Sequence, residues 1–235
     1  MPLFMLNAEA DFPPVAWAGP DGILAVGGDL SPRRLLRAYG RGIFPWYSDG
    51  EPILWWSPDP RFVIFPAEVH IPRSLKKVMN DQIFQLSFDR VFAGVIDGCA
   101  QPRPEQNGTW ITEEMRQAYV GLHSLGYAHS LEAWHDGALA GGLYGVALGR
   151  CFFAESMFHL ESNASKVVLF ALARALKKMG FVVIDCQVHS PHLESWGARS
   201  ITRRHYLELL RIGLSSSTLR GNWGEFCFYE GQGIF

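Results

Sequence analysis

Residues 129–158 constrain the fold more than any other stretch of the chain. His129–Trp134, Ala138–Leu148 and Cys151–Phe158 each read as a strand, and the Asp136-Gly137 and Gly149-Arg150 steps between them leave room only for tight turns. Three strands joined in this way form an antiparallel meander. Gly141-Gly142 inside the second strand marks a bulge or a close backbone approach. A helix follows. Ser162 is suited to cap it, Val168, Leu172, Ala175, Leu176 and Met179 make its buried stripe, and Gly180 ends it. Phe181–Val188 is then an apolar strand of the kind found at a sheet centre, and a last helix runs from about Thr202 to Ile212.

The order β-β-β-α-β-α, with a right-handed crossover into its last strand, resembles the acetyltransferase-like (GNAT) architecture. The expected class is therefore α+β. Upstream, Val91, Phe92, Val95, Ile96 and Cys99 give Phe88–Cys99 a helical stripe. Thr112 caps a second helix that carries Glu113 and Glu114 in its first turn and Met115, Tyr119 and Leu122 on one face, stopping at Gly126. The first sixty residues hold one clear helix, capped by Ser31, opened by Pro32 and ended by Gly40, among Gly- and Pro-rich turns. The Pro58–Pro66 stretch is the expected boundary. It divides a small loop-rich N-terminal domain, residues 1–62, from a GNAT-like catalytic domain, residues 63–235.

Composition narrows the function. With 48% hydrophobic and 19% charged residues, the 235-residue chain is globular and not disordered. Twenty-one basic against 23 acidic residues leave a net charge of -2, which excludes coating long nucleic acid through bulk charge. Local basic clusters remain: Arg33, Arg34 and Arg37; Arg73, Lys76 and Lys77; Arg203 and Arg204. Eight tryptophans exceed what a core of this size needs, so some of these rings are candidate stacking surfaces. The cysteines Cys99, Cys151, Cys186 and Cys227 form no C-x-x-C pair and the histidines show no ligand spacing, so reduced thiols and no metal are expected. Met1–Ala10 lacks the charged start of a signal peptide and the longest apolar run, Val167–Ala173, is too short for a bilayer. A cytoplasmic protein with no membrane partner is expected.

Three groups of residues could carry chemistry. Asp185 and Gln187 alternate inside an apolar strand and share one face with Phe181 and Val183, opposite Ile184, Cys186 and Val188. A carboxylate and an amide there are either satisfied by loop backbone or aimed at a substrate. Glu155 ends the apolar run Cys151–Ala154, as a solvated strand end or as a partner of that pair at a sheet opening. Aromatic rings crowd Gly42–Tyr47 and Leu54–Pro60, and Trp110 precedes a helix; core packing or base stacking accounts for such rings. Phosphate-binding G-x-G-x-x-G and G-x-x-x-x-G-K-[ST] loops and a G-x-S-x-G elbow are absent. The Gly-rich loop that holds the pyrophosphate of coenzyme A in GNAT proteins is also missing. Glu155-Ser156-Met157-Phe158 stands in its place, which argues against that donor.

The chain resembles the leucyl/phenylalanyl-tRNA–protein transferase family. The motifs that carry the resemblance are Gly27–Pro32, Arg41–Trp46, Pro52–Arg61, Gly108–Thr112, His129–Glu132, Gly141–Gly145, Glu155–Phe158, Asn163–Lys166 and Asp185–Val188. They run in order through nearly the whole chain. The resemblance implies a small N-terminal domain on a GNAT-like C-terminal one and transfer of Leu or Phe, less well Met, from aminoacyl-tRNA. The acceptor would be a protein or peptide whose first residue is Arg or Lys, marked by the transfer for degradation. No cofactor and no metal are implied, and a monomer is expected. Carried over by position, Asp185, Gln187 and Glu155 match catalytic residues, and Trp46 and Trp110 match rings around the terminal adenosine of the tRNA. Leu143, Phe152, Leu172 and Ile184 match the pocket for the donated side chain. Strict alternation puts Ile184 opposite Asp185, so the pocket reaches the other face or a bulge intervenes. Arg73, Lys76 and Lys77 are candidates for tRNA phosphates. His189-Ser190-Pro191 departs from the polar Asn or Thr expected after the pair. Competing readings are an acetyl-CoA-dependent acyltransferase, an aminoacyl-tRNA-dependent cell-wall transferase and a non-catalytic RNA-binding module.

Overall fold

In a computed structural model, residues 3–7, 9–69, 72–102 and 109–228 are described. Gly108 of the Gly108–Thr112 motif and the side chain of Cys227 lie outside them. The chain is a mixed α+β protein with two sheets. Strands β1 (Phe4–Leu6), β2 (Ile23–Gly27), β3 (Phe44–Pro45) and β4 (Leu54–Trp56) form a small sheet ordered β1-β2-β4-β3, with helix α1 (Pro32–Tyr39) between β2 and β3. The larger sheet holds β5 (Arg61–Ile64), β6 (Gln85–Phe88), β7 (Ala128–His135), β8 (Ala138–Leu148), β9 (Cys151–His159), β10 (Val183–Gln187) and β11 (Arg199–Ile201). Its order is β11-β5-β10-β9-β8-β7-β6, and only the β9–β10 pair is parallel. Helices α2 (Arg73–Asn80), α3 (Phe92–Ala100), α4 (Glu113–Ser124), α5 (Ala164–Lys178), α6 (Pro191–Glu194), α7 (Arg203–Leu214) and α8 (Trp223–Phe228) complete the fold.

The meander forms because its turns demand it. Asp136 and Gly137 both adopt positive φ, 48° and 80°, which a tight hairpin requires. The crossover α5 then carries the chain from β9 to the neighbouring parallel strand. Eleven of its residues are buried, so it packs flat on one sheet face. It begins two residues after the expected cap. Asn163 sits at the N-cap with φ 70°, a left-handed conformation that Asn tolerates better than most residues, and turns the chain into the helix without a side-chain cap. The Ser31 and Thr112 caps do form, and Thr202 caps α7 in the same way, each hydroxyl accepting from the backbone N–H three residues on.

The two faces of the large sheet hold different cores. Val167–Ala173 of α5 pack with Leu75, Phe152, Leu143, Ile184, Trp196 and Trp223. On the other face Phe92, Val95 and Ile96 of α3, Met115 and Tyr119 of α4 and Tyr206 of α7 join Leu35, Tyr39, Phe44 and Trp55 from the first sixty residues. The N-terminal segment thus shares a core with the larger sheet. Trp55 belongs to that core, fully buried, with its indole N–H on the Gly27 carbonyl at 2.8 Å.

Several boundaries differ from the sequence expectation. The stripe expected as a helix from Phe88 divides into the edge strand β6 and a helix from Phe92, because Asp89 takes φ 54° between them. The strand expected from Phe181 starts at Val183 and ends at Gln187. Short β5 and β11 were hidden by the Pro58–Pro66 turn signals and by a charged first residue in each. Gly145 shows how tightly the central strands are built. A Cβ there would meet the Phe153 carbonyl oxygen well inside van der Waals contact, and backbone cannot swing aside as a side chain can. Gly145→Ala is therefore expected to cost about 1–3 kcal/mol, read as a lowered midpoint in thermal unfolding. An unchanged midpoint would contradict this packing.

Candidate active site

The site arises where two neighbouring strands stop pairing. β9 and β10 run side by side from Val183↔Cys151 to Asp185↔Phe153. Beyond that level each strand gains one residue. In β9, Gly145 faces Ala154 and Tyr144 faces Ser156, so Glu155 is left over. In β10, Asp185 faces Val63 and Gln187 faces Phe62, so Cys186 is left over. Such bulges bend a strand and re-aim its side chains. The gap opens into a cavity of about 320 Å³. Ala154–Met157 and Cys186–Val188 line it from the two strands, Phe44–Trp46 from the small sheet, Thr109 and Trp110 from the approach to α4, and Cys99, Gln101, Leu143, Leu169, Ser190 and Leu193 from elsewhere. Among the described residues, Glu155 is the only carboxyl in the lining, and no Lys or Arg accompanies it.

Glu155 is 9% exposed, and among the described residues no cation bonds to it. Its Oε1 accepts from the Tyr39 hydroxyl at 2.7 Å and from Gln187 Nε2 at 3.0 Å, and its Oε2 meets the Tyr119 hydroxyl at 2.7 Å. The two hydroxyls also meet each other at 2.6 Å. Two hydroxyl protons cannot serve three short oxygen–oxygen contacts. A proton on Glu155 closes the ring: carboxyl to Tyr119, Tyr119 to Tyr39, Tyr39 back to the carboxyl. Burial pushes the Glu155 carboxyl up to about 7, with the charge of Asp185 adding to it and the tyrosine and Gln187 hydrogen bonds opposing it. Burial and then the Glu155 charge raise both tyrosines well above their ordinary range.

Asp185 is in the opposite state. It is 0% exposed and all its acceptor positions are used. Arg61 donates Nε to Oδ1 at 2.8 Å and Nη2 to Oδ2 at 2.6 Å, Tyr206 donates to Oδ2 at 2.7 Å, and the Gln187 backbone N–H donates to Oδ1 at 2.9 Å. Asp185 does not line the cavity and is sealed behind it. What it holds is the backbone of Gln187, which bends through φ 64°. That turn sends the Gln187 amide N–H to Glu155. The Gln187 amide oxygen has no hydrogen-bond partner among the described residues, and Gln187 lines the cavity.

The structure brings Trp46, Trp110, Leu143, Glu155 and Gln187 to one cavity. Trp46 is 40% exposed and tilted against Trp56 at 5.4 Å, and the Trp56 indole N–H holds the Trp46 carbonyl at 2.6 Å. Phe152, Leu172 and Ile184 do not line the cavity. Phe152 and Ile184 pair below the level where the strands part, and both are packed with Leu172 in the core against α5. Met157, Leu169, Cys186 and Leu193 supply the apolar lining in their place. Arg73, Lys76 and Lys77 lie exposed on α2, away from the lining. His189 is exposed and pairs with Glu194 at 3.1 Å, while Ser190 reaches the cavity. Sequence reasoning missed Tyr39, Tyr119 and Arg61 as members of the site. The signal available was chemical: a Glu and an Asp buried in apolar strands need donors, and a buried Tyr needs a partner.

A family model described as leucyl/phenylalanyl-tRNA protein transferase matches residues 63–211, and one described as the N-terminal domain of that transferase matches residues 28–59. A curated relative from Syntrophus aciditrophicus, named leucyl/phenylalanyl-tRNA–protein transferase, is 58% identical over 95% of this chain and 94% of its own. One of the same name from Myxococcus xanthus is 53% identical over 96% of this chain and 97% of its own. Among solved structures, a functionally unknown conserved protein from Staphylococcus epidermidis aligns at TM-score 0.42 and 11% identity over 77% of this chain and 68% of that one, a likeness too loose to carry an argument.

The raised Glu155 carboxyl has a measurable consequence. Its folded value near 7 lies above the ordinary 4.5, so between these pH values the folded state holds a proton that the unfolded state has lost. Stability contributed by this group is full below about pH 4.5 and falls as pH rises through about 7. Thermal unfolding midpoints measured across that window should decline more steeply for the unsubstituted protein than for Glu155→Gln, which cannot ionise. Parallel curves would mean that Glu155 is already charged.

Proposed function

The chain belongs to the leucyl/phenylalanyl-tRNA–protein transferase family, and we propose that it moves Leu or Phe, and Met less well, from aminoacyl-tRNA to the N-terminal Arg or Lys of an acceptor protein. The observation that carries this reading is a cavity with apolar and aromatic walls in which the carboxyl of Glu155 is hydrogen-bonded to the amide of Gln187. Trp46 and Trp110 are the rings on which the terminal adenosine of the tRNA stacks. The donated side chain enters the apolar part lined by Leu143, Met157, Leu169 and Cys186, with Phe152, Leu172 and Ile184 as the packed layer behind it. Arg73, Lys76 and Lys77, exposed and without an ion pair among the described residues, are assigned to tRNA phosphates.

The donor is an activated ester, so the reaction asks more for placement than for strong acid or base. The lone pair of the acceptor α-amino group attacks the ester carbonyl carbon and forms the C–N bond. The C–O bond to the ribose then breaks and the departing oxygen takes up the proton lost by the amine. An α-amino group of pKa about 7.7–8.0 is partly neutral near pH 7. The Gln187 amide oxygen is placed to accept from that amine, which fixes its approach, and orientation of this kind can supply up to about 7–11 kcal/mol. Glu155 holds the other end of the Gln187 amide and supplies the acidic character that favours a cationic acceptor. Asp185 acts through the Gln187 backbone.

The division expected at residues 62/63 falls inside β5, and the change from the small sheet, which ends at Trp56, to the large one, which starts at Arg61, favours a boundary at residues 57–60 between a small N-terminal domain and a GNAT-like catalytic domain. No helix among the described residues is long and apolar enough to cross a membrane. Cys99, Cys151 and Cys186 are buried and form no disulfide among the described residues, in keeping with a cytoplasmic protein.

Labelled Leu supplied on Leu-tRNA should pass to a peptide beginning with Arg, with no dependence on coenzyme A, whereas acetyl transfer from acetyl-CoA would support the competing reading. Gln187→Ala is expected to lower the rate about 10²-fold, the cost of a misplaced reacting group, with little change in unfolding midpoint. An Asp185→Ala variant that stays within a few-fold of the unsubstituted rate would remove Asp185 from the site.

A further inference from the structure

Arg61 opens β5 and is 1% exposed. A cation inside a sheet is costly unless its charge and donors are met. Two donors go to the two oxygens of Asp185, and Nη1 donates to the Gly42 carbonyl at 3.2 Å. The guanidinium also lies 4.7 Å from the centre of the Phe44 ring and 4.6 Å from that of Tyr206. These contacts lead to two different walls of the cavity. Through Asp185 the guanidinium reaches the backbone N–H of Gln187, and so the left-handed turn that aims the Gln187 amide. Through Gly42 and Phe44 it reaches the Phe44–Trp46 wall. Gly42 has φ 74°, and a Cβ there would stand 2.8 Å from the Tyr206 ring, so this loop is pressed against the same cluster.

The geometry points to Arg61 as a positioning residue that sets the distance between the Trp46 wall and Gln187, so that the adenosine platform and the amine-orienting amide move as one unit. A planar fork with donors on several edges is needed for this task, and a lysine ammonium, a point charge on a flexible stem, cannot hold Asp185 at two oxygens and Gly42 at once. Asp185 has no acceptor position left, so its influence on the reaction passes through the position it gives Gln187, and Arg61 fixes that position. This inference rests on the functional reading above.

The experiment measures kcat and KM for Leu-tRNA in transfer to an Arg-initiated peptide, with the unfolding midpoint of each variant. Arg61→Lys is expected to raise KM and lower kcat, each about tenfold or more, while Tyr206→Phe, which loosens only Asp185, lowers kcat and leaves KM within about twofold. A folded Arg61→Lys variant in which either constant is unchanged overturns the proposal, because a merely structural ion pair would move the midpoint alone. If Arg61→Lys does not fold, a double-mutant cycle of Phe44→Leu and Tyr206→Phe decides. The Phe44 ring bears on the guanidinium and the Tyr206 hydroxyl on the Asp185 that the guanidinium holds, so their effects on kcat/KM should depart from additivity by about fivefold or more; additive effects overturn it. An unsubstituted protein that transfers no Leu fails the functional reading itself, a result distinct from unaltered constants in an active one.

Discussion

The ladder between β9 and β10 ends at Phe153 and Asp185, and the rest of the site depends on that parting. A continuous ladder would bury Glu155 and Gln187 in the sheet with their neighbours and leave no cavity. Two bulges at the same level convert the sheet centre into an opening while the outer pairings of both strands continue, β9 with β8 and β10 with β5. The opening therefore has a rigid frame on each side. It also places polar side chains where burial is expensive, and the surrounding structure has to satisfy them.

Two carboxyls only a few residues from that level are satisfied in opposite ways. Asp185 receives a bidentate guanidinium, a hydroxyl and a backbone N–H, a donor set that suits the ionised form. Glu155 receives two tyrosines and an amide and, among the described residues, no cation, and burial lifts it to about 7. Gln187 links them, its backbone on one and its side chain on the other. Two carboxyls met by different donor sets can carry separate tasks. Here the charged one is sealed and anchors backbone, while the one near its titration point faces the cavity.

Much of this was legible in the chain. The hairpin signals Asp136-Gly137 and Gly149-Arg150 and the apolar helix after them set out β7 to α5 within a residue or two, because tight turns and helix periodicity are local properties. The motifs around Trp46, Trp110, Glu155 and Gln187 pointed to one cavity. The faces of single residues were less accessible. Strict alternation grouped Asp185 with Gln187, yet the leftover Cys186 separates their tasks, and a bulge depends on the register of a neighbouring strand that one segment does not encode. For the same reason Phe152 and Ile184, correctly read as apolar strand positions, lie below the opening and Met157 takes the lining. Arg61 was invisible as a site residue because its meaning comes from partners far along the chain, at Gly42, Asp185 and Tyr206.

A near-neutral chain that handles tRNA is less paradoxical once the cavity is considered. For an ester donor the competing reaction is hydrolysis, and the barrier to it is the exclusion of water from the reacting carbonyl. Walls of Phe44, Trp46, Trp110, Met157 and Leu169 serve that need better than a charged lining would, since each ion carries its own hydration. The one carboxyl among the described lining residues, raised to about 7 by burial, adds little charge to the cavity on the acid side of that value. The amine must lose its own proton over the same pH range to become a nucleophile. The carboxyl of the cavity and an acceptor amine thus titrate over neighbouring pH ranges, while Arg73, Lys76 and Lys77 lie on α2, outside the cavity.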